Sequence, residues 1–394
     1  MNTKKTLLKS ALVLYFVIAF EVLIMISPFA GFFYSVFNPV LLKFAAHPIT
    51  RWLSAFYLPH MILPQDWFLQ FVRVMGSVLF VLGMTIFIVC AGQIYTAKFR
   101  KKGAVLGGLY SFIRHPQYLA LGIAGLGLSI LWPRFLTLAL WLFMALVYYF
   151  LAKDEERRML NAHEQTYRTY MSKTGMFLPR SMEKALTPSS PIAKVLFALV
   201  FAGVVISTAF LLRAYTMSQL TLWTKAPNVT GIAILPEDGF KMDHRMNDIL
   251  ALKDVRARIQ DNKQYLVYFI PQDYIMQGMI ADTGGDWKLF EQHRTIGMIA
   301  DWVFNPVGHL RGGHHAMHGM AHDDSAVPGE GAVRRLIFIS LEGVEVKTPS
   351  DCFSINALRV PRFMVDVEVH NLKLLDIKDL PHGSGWGTVP TPVF

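Results

Sequence analysis

Long apolar stretches separated by short basic segments fill the first half of the chain. A helix needs about 20 mostly apolar residues to cross the hydrocarbon core of a bilayer. Five stretches reach or approach this length and are predicted as transmembrane helices, at residues 11–37, 70–95, 117–132, 134–152 and 192–212. The third and fourth meet at Trp132-Pro133-Arg134, where a proline ends a helix, so they are predicted to form one helical hairpin.

The pattern after residue 213 is that of a separate water-soluble domain. Two segments, 246–259 and 287–304, carry apolar residues at helical spacing. Three others, 265–270, 336–341 and 363–369, are strand-like. The predicted fold is therefore a membrane all-α bundle of about five transmembrane helices over 1–213, followed by a soluble α+β domain over 214–394.

The composition is typical of a membrane protein and argues against nucleic-acid binding and against a thiolate metal site. Of 394 residues, 53% are hydrophobic and only 17% are charged, whereas soluble chains carry about 25% charge. The basic excess lies in the apolar half without interleaved aromatic residues, so no nucleic-acid partner is predicted. The cysteines, Cys90 and Cys352, are too few for a thiolate metal site. The first apolar run is too long for a typical signal peptide and is predicted to be an uncleaved anchor.

Basic residues cluster at three places beside the predicted helices, and such clusters mark the cytoplasmic side of a membrane. They are Lys4, Lys5 and Lys9; Lys98, Arg100, Lys101 and Lys102; and Lys153, Arg157, Arg158, Arg168, Lys173 and Arg180. With five crossings, the N-terminus is predicted to be cytoplasmic. Residues 214–394 are then predicted to be periplasmic, in a bacterial inner membrane.

Candidate chemistry is concentrated between residues 107 and 179. Both ends of a helical hairpin lie at one membrane face, so Arg114, His115 and Tyr118 are expected close to Glu155 and Glu156. Ionisable groups at membrane depth are expensive and usually mark function or pairing. Such a rim could hold a charged soluble cofactor while its bilayer side stays open to a lipid.

These residues also carry a family resemblance. An R-H-P-x-Y sequence at 114–118, a hairpin of about 40 residues, the Glu155-Glu156 pair, spaced tyrosines at 167 and 170, and F-L-P at 177–179 resemble the isoprenylcysteine carboxyl methyltransferase and phospholipid methyltransferase superfamily. The resemblance covers about 70–179. It implies S-adenosylmethionine bound at the cytoplasmic side and a lipid-like or isoprenoid acceptor. One departure is the segment 163–167, which lacks a glycine that the family often has before its first spaced tyrosine.

The resemblance assigns the cofactor pocket to Arg114, His115, Pro116, Tyr118, Glu155 and Glu156, with Arg114, His115 and Glu156 as the catalytic set. The carboxylates would hold the cofactor's ammonium group or ribose hydroxyls, Arg114 would hold its carboxylate, and His115 would orient cofactor or substrate. A carboxylate acceptor needs no base. An amine, phenol or alcohol acceptor needs one, and the sequence does not identify it.

Three alternatives stay open. Glu21, within the first helix, either pairs inside the bundle or serves a proton path. The His- and Met-rich loop at 309–324 offers His314, His315, His318 and His322 to copper or zinc. No metal is assigned there, because a recruited binding surface or a solvated loop explains it more simply. The second functional hypothesis is a methyltransferase-like, inactive anchor or assembly subunit, whose C-terminal domain docks partner subunits of a redox or metal-handling membrane complex.

Overall fold

The structure, a computed structural model, describes residues 44, 47–60, 62, 66–100, 105–274, 277, 280–284 and 333–381. The chain divides into two compact units. The helical unit contains the described residues of 72–132 and 137–208, and the sheet unit contains those of 37–71, 133–136 and 209–394. The two units reflect which residues contact one another. The predicted boundary at residue 213 separates a membrane-embedded part from a soluble part, and it stays a prediction.

Helices account for most of the described chain before residue 219. In chain order they are α1 (Arg51–Ser54), α2 (Trp67–Phe99), a 3-10 turn (Gly108–Ser111), α3 (Pro116–Leu131), α4 (Phe135–Ala162), α5 (Glu164–Lys173), α6 (Arg180–Leu186) and α7 (Pro191–Ser218). Among the described residues, three helices, α2, α4 and α7, are long and apolar enough to cross a membrane. The chain is accordingly described as an integral membrane protein.

The predicted count of five spans is not confirmed. The first predicted span, 11–37, lies outside the described residues, as does Glu21. The third corresponds to α3, which has only 16 residues and at 1.5 Å per residue extends about 24 Å, less than the roughly 30 Å hydrocarbon core. The helix is short because Pro116 starts it and the segment before Pro133 ends it.

Small residues let α2 and α3 pack closely. A Cβ atom on Gly83 would lie 2.5 Å from the backbone nitrogen of Ala124, and one on Gly127 would lie 2.4 Å from that of Phe80. Neither distance leaves room for a side chain. Glycine at these positions therefore permits the backbone-to-backbone contact typical of helix pairs in membranes.

The predicted hairpin of α3 and α4 is present. Only three residues separate the helices, and Trp141 of α4 donates its indole N–H to the carbonyl of Gly122 on α3 at 2.8 Å. At the other end of the pair, Arg114 contacts Glu156. The two helices therefore run antiparallel, and the chain returns to the level at which α3 begins.

The most apolar stretch of α7 makes little contact with the rest of the described protein, whereas Arg213 near its end is buried. Only 6% of its most apolar 18-residue stretch is buried, and large side chains such as Ile192, Leu199 and Leu211 are mostly exposed. So large an exposed apolar surface on one helix is typical of a helix that contacts lipid.

The sheet unit is built on one mixed six-stranded sheet in the order β1-β2-β3-β4-β5-β6. The strands are β1 (Leu222–Ala226), β2 (Val229–Ala233), β3 (Gln264–Pro271), β4 (Val333–Glu342), β5 (Leu358–Glu368) and β6 (Lys373–Asp379). Strands β2 and β3 are parallel, joined through helices α8 (Pro236–Ala251) and α9 (Lys253–Arg256); the other neighbours are antiparallel.

Both faces of this sheet are covered. Successive residues of β3 point to opposite faces, and Tyr265 and Val267 belong to one apolar core with Met246 of α8. Leu266 and Tyr268 belong to a second core, which includes Phe353. Double burial explains why the central strands read as continuous apolar runs rather than alternating ones.

The predicted α+β fold of the second half is confirmed as a mixed six-stranded sheet with helices, whereas its solubility stays a prediction. Strands β3, β4 and β5 coincide with the predicted strands, but β1, β2 and β6 were not predicted. The helix predicted at 246–259 was placed too late: α8 runs from 236 to 251, and a break at Leu252 separates it from α9. The helix predicted at 287–304 and the loop at 309–324 lie outside the described residues.

Candidate active site

The backbone of the R-H-P motif is held against a second strand-like segment. Ile113 forms an isolated parallel bridge with Gly175. The N–H groups of Arg114 and His115 donate to the carbonyls of Gly175 and Met176 at 2.8 and 3.1 Å. Pro116 then occupies the first turn of α3, where its missing N–H carries no penalty. These bonds fix the direction of both functional side chains before α3 begins.

Arg114 is enclosed by acceptors. Its Nε donates to Oε1 of Glu156 at 2.6 Å, one Nη donates to the carbonyl of Thr174, and the other lies 4.0 Å from Oε1 of Glu183. The Arg114 and Glu156 side chains are 5% and 4% exposed. A buried charge pair is stable only when hydrogen bonds satisfy it in this way, so the guanidinium holds the surrounding segments together.

Glu155 is the open member of the carboxylate pair. Its side chain is 33% exposed. One oxygen accepts from the hydroxyl of Tyr118, and the other lies 3.3 Å from Nδ1 of His115. Adjacent carboxylates therefore have different surroundings: Glu156 faces the buried arginine, and Glu155 faces the histidine, the tyrosine and solvent.

His115 lies between the two carboxylates. Its Nε2 is 3.7 Å from Oε1 of Glu156. Neither ring nitrogen makes a well-aligned hydrogen bond to the described residues, so His115 interacts with both carboxylates through charge. Burial lowers the pKa of His115, but the nearby Glu155 and Glu156 oxygens raise it more, and the net pKa lies above its ordinary value. The cluster favours a protonated imidazole.

Tyrosines surround this cluster. The hydroxyl of Tyr170 donates to the carbonyl of Tyr110 at 2.5 Å, and the hydroxyl of Tyr110 donates to Gln117 at 3.1 Å. Tyr167 is 5% exposed. Its burial, and to a lesser extent the charge of Glu156, raises the pKa of its phenol, which therefore stays neutral. The spaced tyrosines of α5 therefore pack the 3-10 turn against the start of α3.

Sequence reasoning missed Glu183. Its Oε2 accepts from the N–H of Met176, and a Cβ on Gly175 would meet that same oxygen at 2.7 Å and the carbonyl of Leu178 at 2.0 Å. Gly175 is thus needed for the segment to pass Glu183. Since Glu183 stands on α6, beyond every motif, the sequence gives no local signal of its role.

Of the predicted site residues, the structure brings together Arg114, His115, Tyr118, Glu155 and Glu156. Pro116 contributes by starting α3. The roles assigned to these residues stay predictions. The four histidines at 314, 315, 318 and 322 lie outside the described residues, and within the described ranges no group of three or more His, Cys, Asp or Glu side chains is arranged to hold a metal ion.

Comparison with known proteins identifies part of the chain. Residues 69–166 match the family model for phospholipid methyltransferases. The chain as a whole gives no significant match to a curated protein or to a solved structure. The matched segment contains nearly all of α2, the hairpin, and the residues Arg114, His115, Tyr118, Glu155 and Glu156, whereas Thr174 and Glu183 lie beyond it. Residues 69–166 therefore match a domain of the isoprenylcysteine carboxyl methyltransferase and phospholipid methyltransferase-like family.

Proposed function

We propose that this protein is an integral membrane methyltransferase that uses S-adenosylmethionine and acts on a lipid-like or isoprenoid amphiphile. The observation that carries the proposal is the buried Arg114–Glu156 pair, which holds His115 and the partly exposed Glu155 at one end of the α3–α4 hairpin. A membrane domain of a methyltransferase family supplies the reaction class, and the cluster supplies a place for it.

The residues of the cluster fit the charged and flat parts of such a cofactor. Glu155 offers a partly exposed carboxylate, suited to an ammonium group or to ribose hydroxyls. Phe177, partly exposed beside His115, offers apolar surface, and the buried, stacked rings of Tyr118 and Tyr148, 4.9 Å apart, support the cluster from the core. We assign Arg114 and Glu156 to holding the shape of the site, because the Arg114 guanidinium already has acceptors within the protein.

When bound, S-adenosylmethionine supplies an electrophilic methyl group on a sulfonium. Methyl transfer by displacement needs alignment and exclusion of water more than acid–base power. The chain contributes the fixed backbone of 113–116 and the buried charge pair, which keep the cluster in one arrangement. An amine or hydroxyl acceptor would also have to lose a proton, and the partly exposed oxygens of Glu155 are the carboxylate atoms of the cluster open to that role.

The proposed orientation places this cluster at the cytoplasmic side. Basic residues such as Arg157 and Arg158 flank it on α4. The segments predicted for the opposite side are the stretch before α2, the turn at 133–134 and the chain after α7, and they all belong to the sheet unit. Within that unit Arg213 donates to the carbonyls of Phe56 and Phe353, which fits a common side for these segments.

Transfer of a radiolabelled methyl group tests the proposal. Full-length protein in detergent would be incubated with labelled S-adenosylmethionine and a total membrane lipid extract. The expected result is label in the organic phase. Loss of a hydrogen-bonding charged group removes about 1.5–3 kcal/mol, so Glu155→Gln should reduce the rate about tenfold to a hundredfold, whereas Asp154→Asn, on the exposed side of the same turn, should not. Absence of labelled product with the wild-type protein would count against the proposal.

A further inference from the structure

A cavity separate from the charge cluster lies beside the last turns of α2. It has a volume of about 580 Å³ and is bounded on one side by α2 from Val89 to Arg100 and on the other by Val105–Gly108. It is an open groove rather than an enclosed pocket, and its volume lies within the range of about 300–1,000 Å³ that is usual for small-ligand sites. The α2 wall belongs to a candidate membrane span, so the cavity borders both the apolar span and its polar end.

One polar atom in this wall lacks a hydrogen-bond partner among the described residues. Oε1 of Gln93 is buried and has no hydrogen-bond partner in the part of the chain that the structure describes. Gly108, at φ +65°, passes so close that a Cβ there would lie 2.8 Å from Nε2 of Gln93. A buried acceptor without a donor costs about 1–3 kcal/mol. A ligand that carries an N–H or O–H group would supply the missing donor once the Gln93 amide turns toward the groove.

The charges of the residues that line the cavity limit the class of ligand further. Arg100, one residue beyond the end of α2, is the only charged side chain among the described residues that line it, and none of them is a carboxylate. A cationic sulfonium or ammonium group would find no counter-charge there, whereas an anionic head group would pair with Arg100. The side chains of Val89, Val105 and Leu106 add apolar surface.

The cavity also adjoins the charge cluster through the chain. Gly108 begins the 3-10 turn that contains Tyr110, and the Tyr110 hydroxyl donates to Gln117, next to Tyr118. One short turn of the chain therefore separates a ligand in the cavity from the residues of the charge cluster.

We propose that this cavity is the acceptor site and that it takes a membrane amphiphile whose head carries an anionic group and a hydrogen-bond donor. Arg100 pairs with the anion, Gln93 accepts from the donor, and the hydrocarbon chain lies along Val89 and Gly92. This inference rests on the proposed methyltransferase function for its acceptor role, and on the cavity alone for its lipid preference.

Two lipids of equal charge test the donor requirement. Phosphatidylglycerol has head-group hydroxyls, and phosphatidylmethanol has the same phosphodiester charge without them. Native mass spectrometry of the full-length protein in detergent would measure the apparent Kd of the first bound lipid, without cofactor. Phosphatidylglycerol should bind at least about tenfold tighter, as one hydrogen bond to a buried amide suggests. Gln93→Leu should abolish this preference, and Arg100→Gln should weaken both lipids.

Glycine variants test the location. A Cβ on Gly92 meets no atom within 4 Å, and the same holds for Gly203 in the exposed part of α7. Gly92→Leu therefore introduces a side chain into the cavity from an open position, and Gly203→Leu is its matched control. Gly92→Leu should weaken phosphatidylglycerol binding at least about tenfold, leaving the affinity for S-adenosylhomocysteine unchanged; Gly203→Leu should change neither.

The contrary results are equally specific. The inference is overturned if Gly92→Leu weakens S-adenosylhomocysteine binding instead of lipid binding, because the cavity would then hold the cofactor. It is also overturned if the wild-type protein does not distinguish the two lipids. A wild-type protein that shows the lipid preference but binds no S-adenosylhomocysteine would refute the methyltransferase proposal and the acceptor role, while the lipid site itself would stand.

Discussion

Arg114 and Glu156 stand 42 residues apart in sequence, and the Nε of one donates to the Oε1 of the other at 2.6 Å, both side chains being almost fully buried. This contact joins the start of α3 to the end of α4. It also sets the position of His115, whose ring lies next to the same carboxylate oxygen. The relationship depends on the hairpin returning the chain to its starting level.

Breaking this pair should destabilise the protein strongly. Removing one partner of a buried ion pair costs about 3–5 kcal/mol because the other charge is left unpaired. Glu156→Ala should therefore lower the Tm of the detergent-solubilised protein by several degrees. Lys153, 3.6 Å from Glu156, and His115 remain near the carboxylate in Arg114→Met, so that variant should lose less.

A neighbouring pair serves as the control. Asp154 contacts Arg157 at 2.5 Å and Arg158 at 3.1 Å, but all three side chains are well exposed. Exposed pairs contribute about 0–1 kcal/mol, so Asp154→Ala should leave the Tm nearly unchanged. Equal losses in Glu156→Ala and Asp154→Ala would show that the buried pair has no special role.

His115 should make stability depend on pH. Its folded-state pKa is raised above the ordinary value of 6.5, so its charged form is favoured by folding. The stabilisation is fully present below pH 6.5 and is lost as the pH rises through the folded pKa. The Tm should fall over that range in the wild-type protein and change less in His115→Gln, as followed by tryptophan fluorescence during heating. A Tm that rises with pH across this interval would contradict the assigned direction.

Gly175 should not tolerate a side chain. A Cβ there would lie 2.0 Å from the carbonyl of Leu178, so the segment that accepts from Arg114 and His115 would have to move. Overpacking of this kind typically costs about 1–3 kcal/mol. Gly175→Ala should lower the Tm and weaken cofactor binding. Gly122→Ala, where a Cβ meets no atom within 4 Å, should do neither, and unimpaired Gly175→Ala would show that the segment adapts.

Orientation in the membrane can be tested by labelling. Both native cysteines are buried, so single introduced cysteines should report without background. Lys347→Cys, at an exposed position of the sheet unit, should react with a membrane-impermeant maleimide on intact spheroplasts. Asp154→Cys should react only after permeabilisation. The reverse pattern would overturn the predicted topology.

The sequence predicted the proximity of Arg114 and Glu156 better than it predicted the sheet. The hairpin turn at Pro133 and the apolar lengths of its arms were enough to bring Arg114 close to Glu156, because helix geometry leaves few choices. Edge strand β6 was missed since it is mostly exposed and alternates charged with apolar residues, a pattern that loops share. Helix α8 was placed too late, although Pro236 and the acidic Glu237 and Asp238 mark its first turn.

Contacts between residues distant in sequence could not be predicted from local sequence patterns. Glu183 reaches the site only because Gly175 lets the chain pass beneath it. Arg335 and Asp366 form a buried pair at 2.6 Å between neighbouring strands β4 and β5, and burial of two charges there cannot be inferred from strands that otherwise read as apolar. Such contacts depend on strand register, which the sequence pattern leaves open.

Binding of S-adenosylhomocysteine, measured by calorimetry on the full-length protein in detergent, tests the central claim most directly. The account predicts one site per chain with a Kd well below about 1 mM. Glu156→Ala leaves the buried Arg114 without its charged partner, which costs several kcal/mol. At about 1.4 kcal/mol per factor of ten, the affinity should fall about a hundredfold or more. Asp154→Ala should bind as the wild type does. No heat of binding at millimolar ligand with the folded wild-type protein would contradict the account, and the hypothesis of an inactive anchor or assembly subunit would take its place.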